Sequence, residues 1–205
     1  VDEDCDGVVD EGFRAELVHT TYAELSAHHP DCDMSTQYFG DHCYSAADRL
    51  CRLRCPGSGL GPLTLGQDGA ADIVCVRASA REQVPYAQLA AIQPQCAESS
   101  AIDRHCSAAI DTWCTDRGHA AGFGPVEHSM NQASVVCLPA AVLERRWFTY
   151  AQLSAYVGIC DGNTIRDGPL CQIAAQQACI AAGFVGMAGP LQFQAARLEV
   201  ACLRP

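Results

Sequence analysis

Twelve of the fourteen cysteines in this 205-residue chain repeat on one frame, and that frame constrains the fold more than any other feature. Cys32, Cys96 and Cys160 recur every 64 residues, as do the strings Tyr22-Ala-Glu-Leu25, Tyr86-Ala-Gln-Leu89 and Tyr150-Ala-Gln-Leu153. A second set, Cys43, Cys106 and Cys171, precedes a third, Cys51, Cys114 and Cys179, by eight residues each time. Ten residues after the third set stand Gly61-Pro62, Gly124-Pro125 and Gly189-Pro190. Each unit closes on a cysteine inside an apolar run: Cys75, Cys137 and Cys202. Self-similarity at a fixed period marks a repeated supersecondary unit. The chain therefore reads as three tandem homologous copies, over residues 14-78, 79-140 and 141-205, behind an acidic opening, 1-13.

Within a unit the tyrosine string reads as a short helical lead-in. The second cysteine opens a helix, in which Ala46, Ala109 and Ala174 are good helix formers. Gly118 and Gly183 follow the third cysteine where a left-handed cap is expected. The Gly-Pro segment reads as one strand and the valine-rich run as a second, buried one. The predicted class is α+β, built of small disulfide-rich units of helix, turn and two strands. Residues 79–85 and 139–149 read as short linkers, compatible with units that close into a pseudo-threefold domain or string out in line.

The helix limits the cysteine pairing. Eight residues of helix put the second and third cysteines about 12 Å apart, whereas a disulfide needs Cα atoms within about 7 Å. First–second with third–fourth, and first–third with second–fourth, both survive. A unit of this size is marginal on its core alone, and two bridges at about 2–4 kcal/mol each supply what it lacks. Cys5 and Cys55 remain over; Cys55 takes the place of the cap glycine, and by exclusion it is expected to bridge to Cys5.

Fourteen cysteines with no CxxC spacing favour disulfides over zinc, and so an oxidising place: extracellular, cell surface or periplasm. The opening lacks the basic-then-apolar pattern of a signal peptide, so an export signal is expected to lie outside this stretch. No run of about 18 apolar residues exists, which argues against membrane insertion. The net charge is −11 and there is no lysine, which excludes a nucleic-acid or anionic-lipid partner.

Six carboxylates crowd the first eleven residues. Asp2, Asp4, Asp6 and Asp10 fall at alternate positions of a calcium loop, with Gly7 at the sharp turn and the carbonyl of Val8 as a further ligand. Phe13 stands where an EF-hand has its bidentate glutamate, and Glu11 is the nearest substitute. The string Asp4-Cys5-Asp6-Gly7-Val8-Val9-Asp10-Glu11 resembles the DCDGxxDE motif of bacterial surface and secreted proteins, and is similar to thrombospondin type 3 calcium repeats. The resemblance spans about a dozen residues and implies a bound metal, Ca2+ rather than copper, since no histidine or methionine stands nearby.

Other candidate chemistry is sparse. His28, His29, Asp31, Asp33 and His42 form a possible metal cluster, but the matching positions of the other units do not repeat it, so a loop of solvated histidines is the favoured reading. His42 and His105 both precede a second cysteine, where the third unit has Leu170, and His128 aligns with Leu65 and Phe193. Glu127 and Glu199 read as isolated strand carboxylates. Trp147 and Phe148, with Arg145 and Arg146, form either a binding surface or packing between units two and three. There is no nucleophile elbow and no phosphate loop. The expectation is an exported, non-enzymatic binding or adhesion module, held by calcium and disulfides, with a protein or glycan ligand. The alternatives are a structural subunit of an extracellular fibre or coat, self-assembled as a homo-oligomer or filament, and, less favoured, a hydrolase.

Overall fold

The computed structural model describes residues 15–54, 57–64, 68–77 and 79–205. The valine-rich run of each unit is buried on both faces: Ile73, Val74 and Val76 in the first, Val135 and Val136 in the second, Val200 and Ala201 in the third. A strand without alternation must lie inside a sheet, and each of these is the middle strand of three. The first unit runs β1 (Ala15–Thr21), α1 (Tyr22–His28), α2 (Asp41–Arg54), β2 (Gly57–Leu60) and β3 (Ala70–Arg77). The second runs β4 (Ala80–Pro85), α3 (Tyr86–Ile92), α4 (Arg104–Thr115), β5 (Ala121–Ser129) and β6 (Gln132–Leu138). The third runs β7 (Leu143–Thr149), α5 (Tyr150–Leu153), α6 (Pro169–Ala181), β8 (Gly186–Gln194) and β9 (Arg197–Leu203). The sheet orders are β1-β3-β2, β4-β6-β5 and β7-β9-β8, all antiparallel.

The chain is thus α+β and disulfide-rich, with one strand per unit more than two. The segments read as linkers are the edge strands β4 and β7. They lack an apolar alternation because their side chains carry charge into the joints described below.

Each tyrosine string buries its tyrosine and its leucine under the sheet. Thr21 and Thr149 cap the first and third of these short helices by accepting from the backbone N–H of Glu24 and Gln152. Six disulfides join Cys32–Cys43, Cys51–Cys75, Cys96–Cys106, Cys114–Cys137, Cys160–Cys171 and Cys179–Cys202. First therefore pairs with second, and third with fourth. One bridge ties a loop to the start of each long helix, and the other ties that helix to the middle strand. The expected Cys5–Cys55 bridge lies outside the described residues, as do Asp2, Asp4, Asp6, Val8, Asp10 and Glu11 of the expected calcium loop.

Helix and sheet approach to backbone contact. Opposite the strand cysteine stand Gly59, Gly122 and Met187 in turn. A Cβ on Gly59 would lie 2.1 Å from the Ala47 carbonyl oxygen, and one on Gly122 would lie 2.5 Å from that of Ile110. Only glycine permits that approach. In the third unit Met187 is buried there, and α6 touches its strand less extensively.

Units one and two each keep a small core of their own, while a larger apolar cluster draws on all three units. Helix α2 also packs on β5, and α4 on β8. Units one and three meet directly, through Ala15 N–H to the Arg204 carbonyl (3.4 Å) and the Tyr44 hydroxyl to Gln172 Oε1 (3.1 Å). The units close on one another rather than string out.

Candidate functional site

The joints between units carry most of the charge chemistry. Five residues after the second cysteine, each long helix places a polar side chain under the sheet: Asp48, Asp111 and Gln176, all nearly inaccessible. Asp111 Oδ1 accepts from Gly122 N–H (3.2 Å) and Gln176 Oε1 from Met187 N–H (2.7 Å). Five residues before each tyrosine, the edge strand offers Leu17, Arg81 or Arg145. Arg145 reaches back to the preceding unit and grips Asp111 with two bonds (2.8 and 3.1 Å), and it holds Glu199 of its own unit with two more (2.6 and 3.2 Å). The bonds to Glu199 and Asp111 push the guanidinium well above its ordinary value. Arg145 is therefore a packing residue of the joint between units two and three.

The joint between units one and two uses the same parts more loosely. Arg81 meets Asp48 and Glu127, both at 2.5 Å, while Arg49 also reaches Glu127 (2.8 Å) and Arg52 reaches Asp48 (3.2 Å). Burial pushes the Asp48 carboxyl up against the pull of Arg81 and Arg52. Burial also pushes Glu127 up, but Arg49 and Arg81 overcome it and leave the carboxylate below its usual range. Neither Glu127 nor Glu199 is isolated, as the sequence alone suggested. Each completes an ion network whose other members come from elsewhere in the chain. Between units three and one the described residues show no such ion set; Leu17 packs on the shared core and Gln176 replaces the aspartate.

A cleft of about 350 Å³ opens beside the first joint, lined by His29, Asp41, His42, Ser45, Arg49, Glu127, His128 and Ser129. His128 Nε2 and Asp41 Oδ2 are 2.9 Å apart, Gln37 donates to Asp41 Oδ1 at 3.1 Å, and the other His128 nitrogen faces Glu98 at 3.9 Å. Burial pushes Asp41 up, but these bonds from His128 and Gln37 hold it below the ordinary carboxylate range. The His29 and His42 rings stack at 4.4 Å, 13° from parallel. Burial, then His42 and Arg49, pull His29 below its ordinary value. Asp31 Oδ2 lies 3.3 Å from His42 Nδ1. The sequence reading favoured solvated histidines; the fold instead gathers His29, Asp31 and His42 against the cleft, with His128 across from them. Asp33 is turned away and caps its own loop at Ser35 and Thr36. The Cys32–Cys43 bridge is the signal that was available, because Asp31 and His42 each precede one of its cysteines.

The matching cleft at the second joint, about 270 Å³, has Arg104 where the first has Asp41, and Phe193 where it has His128. Trp147 stacks under Arg197 (4.3 Å), Phe148 packs on the shared core, and Arg146 pairs with Glu144 (2.8 Å) over Phe184. These residues are part-buried and form no common opening with the cleft. A second cluster, Glu82, His119 and Cys137, is closed to metal because the Cys137 sulfur is bonded to Cys114. No protein-family model matches the chain, and neither a curated protein nor a solved structure resembles it at a significant level.

Proposed function

We propose that the chain is an exported, non-enzymatic binding module that takes a polar glycan in the cleft between its first and second units. The observation that carries this reading is the lining of that cleft. Carboxylates, imidazoles, an arginine and hydroxyls face one opening, in a scaffold whose long helices are cross-linked at two points each. Pre-set donors and acceptors lose little entropy on binding, which suits a hydroxyl-rich ligand. The six disulfides support an oxidising compartment. No helix among the described residues is long and apolar enough to cross a membrane. The tandem triplication and the calcium loop belong to the same reading, as devices for rigidity.

A serine-hydrolase reading needs Ser45 bonded to an imidazole base. Ser45 donates instead to Glu127 (3.4 Å), and both nitrogens of His128 face carboxylates. A glycan array probed with the native chain and with Ser129→Trp tests the proposal, since Ser129 is exposed at the cleft and outside the ion network. Binding that the tryptophan abolishes supports it; silence across the array, or binding indifferent to the substitution, overturns it.

A further inference from the structure

The geometry points to a metal site: we propose that His29, Asp31 and His42 bind one divalent transition-metal ion of the zinc type at the wall of the first cleft. One ligand atom from each of the three lies within 4.8 Å of the others. Four-coordinate zinc with bonds of about 2.0–2.1 Å holds its ligand atoms roughly 3.3 Å apart. Asp31 Oδ2 and His42 Nδ1 already stand at that separation (3.3 Å), so closing the set requires the His29 ring to leave its parallel stack on His42 and turn a nitrogen toward the same point.

Two further observations point to an ion. The Nδ1 atoms of His29 and His42 are both buried; that of His29 has no hydrogen-bond partner, and that of His42 faces Asp31 Oδ2 at 3.3 Å without completing a hydrogen bond. Buried polar atoms are ordinarily satisfied, and an unpartnered imidazole nitrogen beside a histidine–carboxylate pair asks for a shared partner. An ion supplies one. Around the set, His42 Nε2 lies 3.8 Å from Asp41, which is itself fixed by His128 and Gln37. A carboxylate behind a ligating histidine fixes its orientation and raises its basicity.

The repeat supplies an internal control. Asp31 and His42 precede the two halves of the Cys32–Cys43 bridge, whose Cα atoms are 4.9 Å apart. The same bridge in the second unit is preceded by Gln95 and His105, and in the third by Ile159 and Leu170. His29 corresponds to Gln93 and Val157. One scaffold thus carries a full ligand set, a single imidazole, and an apolar triplet. The bridge keeps its place in all three units, so it does not need the ligands; the ligands need the bridge. Two imidazoles and one carboxylate suit zinc, copper or nickel and not calcium, which takes oxygen. Three protein ligands leave one position of a four-coordinate ion open. The proposal goes beyond the glycan reading and stands without it.

The test is calorimetric titration of the oxidised, chelator-stripped full chain with Zn2+, in excess Ca2+ to occupy the acidic opening. Binding of one ion per chain is expected. His29→Ala and His42→Ala should each weaken it by more than the roughly 10–100-fold that loss of an outer partner costs, and His105→Ala should leave it unchanged. Co2+ in place of Zn2+ should give visible ligand-field absorption that the same two variants lose. Asp31→Asn, a change on a half-exposed side chain, keeps the test decisive if a histidine variant fails to fold. Absence of binding, or binding that survives in Asp31→Asn and both histidine variants, overturns the site. Running the glycan array with chelator separates the two proposals, because each outcome is read without the other's ligand.

Discussion

At the joint between units two and three, one arginine holds two carboxylates that water barely reaches: the Asp111 side chain is 1% exposed and that of Glu199 9%. At the joint between units one and two, three arginines share two carboxylates, and Glu127 is 29% exposed. The first arrangement is tight and has no reserve. The second is redundant and wetter, and the cleft beside it is the larger of the two, about 350 Å³ against 270 Å³. Closure and access therefore trade against each other on one scaffold, and the residue types at a few strand and helix positions set which is obtained.

The largest effect should come from breaking the tight joint. Arg145→Ala leaves Asp111 and Glu199 buried without a cation, and removal of one partner from a buried pair costs about 3–5 kcal/mol. Denaturant unfolding with the disulfides intact should show a loss of that size. Arg81→Ala should cost less, about 1–2 kcal/mol, because Arg52 still reaches Asp48 and Arg49 still reaches Glu127. Equal losses in the two variants would remove the contrast between the joints.

A smaller effect concerns acid. Glu127 and Asp41 are held below the usual carboxylate range in the folded chain. Such groups add stability above their unfolded value, near about 4, and lose it as pH falls through the lower folded value. Asp48, raised by burial, has the opposite sign: its contribution is complete below the unfolded value and is lost as pH rises through the folded one. Glu127→Gln should therefore cost about 1 kcal/mol near neutrality, and that cost should shrink as the pH is taken below the unfolded value. Stability curves of the two proteins that stay parallel into strong acid would show that Glu127 titrates no differently when folded.

Parts of this molecule were legible in its sequence and parts were not, for physical reasons. The long helices and middle strands follow from local signals, since cysteines eight residues apart and valine-rich runs report on their own neighbourhoods. The edge strands β4 and β7 were hidden because Arg81 and Arg145 face another unit rather than a core, so the alternation that marks a strand is absent. The joints join residues far apart: Arg81 is 33 residues from Asp48 and 46 from Glu127. The histidine cluster has the same origin. His29, Asp31 and His42 span a loop that the Cys32–Cys43 bridge folds back on itself, and spacing alone left two pairings open. Choosing between those pairings would have put Asp31 beside His42.

The smallest expected effect tests whether ions are needed at a joint at all. At the matching positions the third joint has no ion pair, with Leu17 for arginine and Gln176 for aspartate. Copying it into the first joint calls for Asp48→Asn with Arg81→Leu. Asparagine is chosen over glutamine because α2 lies tight on Gly59, where α6 stands off Met187. Glu127 keeps Arg49 and so is not stranded. Replacing a buried ion pair as a whole is often neutral or stabilising, whereas removing one partner is costly. The double variant should therefore unfold within about 1 kcal/mol of the native chain, with Arg81→Leu alone clearly less stable, so that the cycle shows a favourable coupling. If the double variant instead loses as much as the single changes add up to, the arginine and aspartate hold the units together in their own right, and the apolar third joint is not a substitute for them.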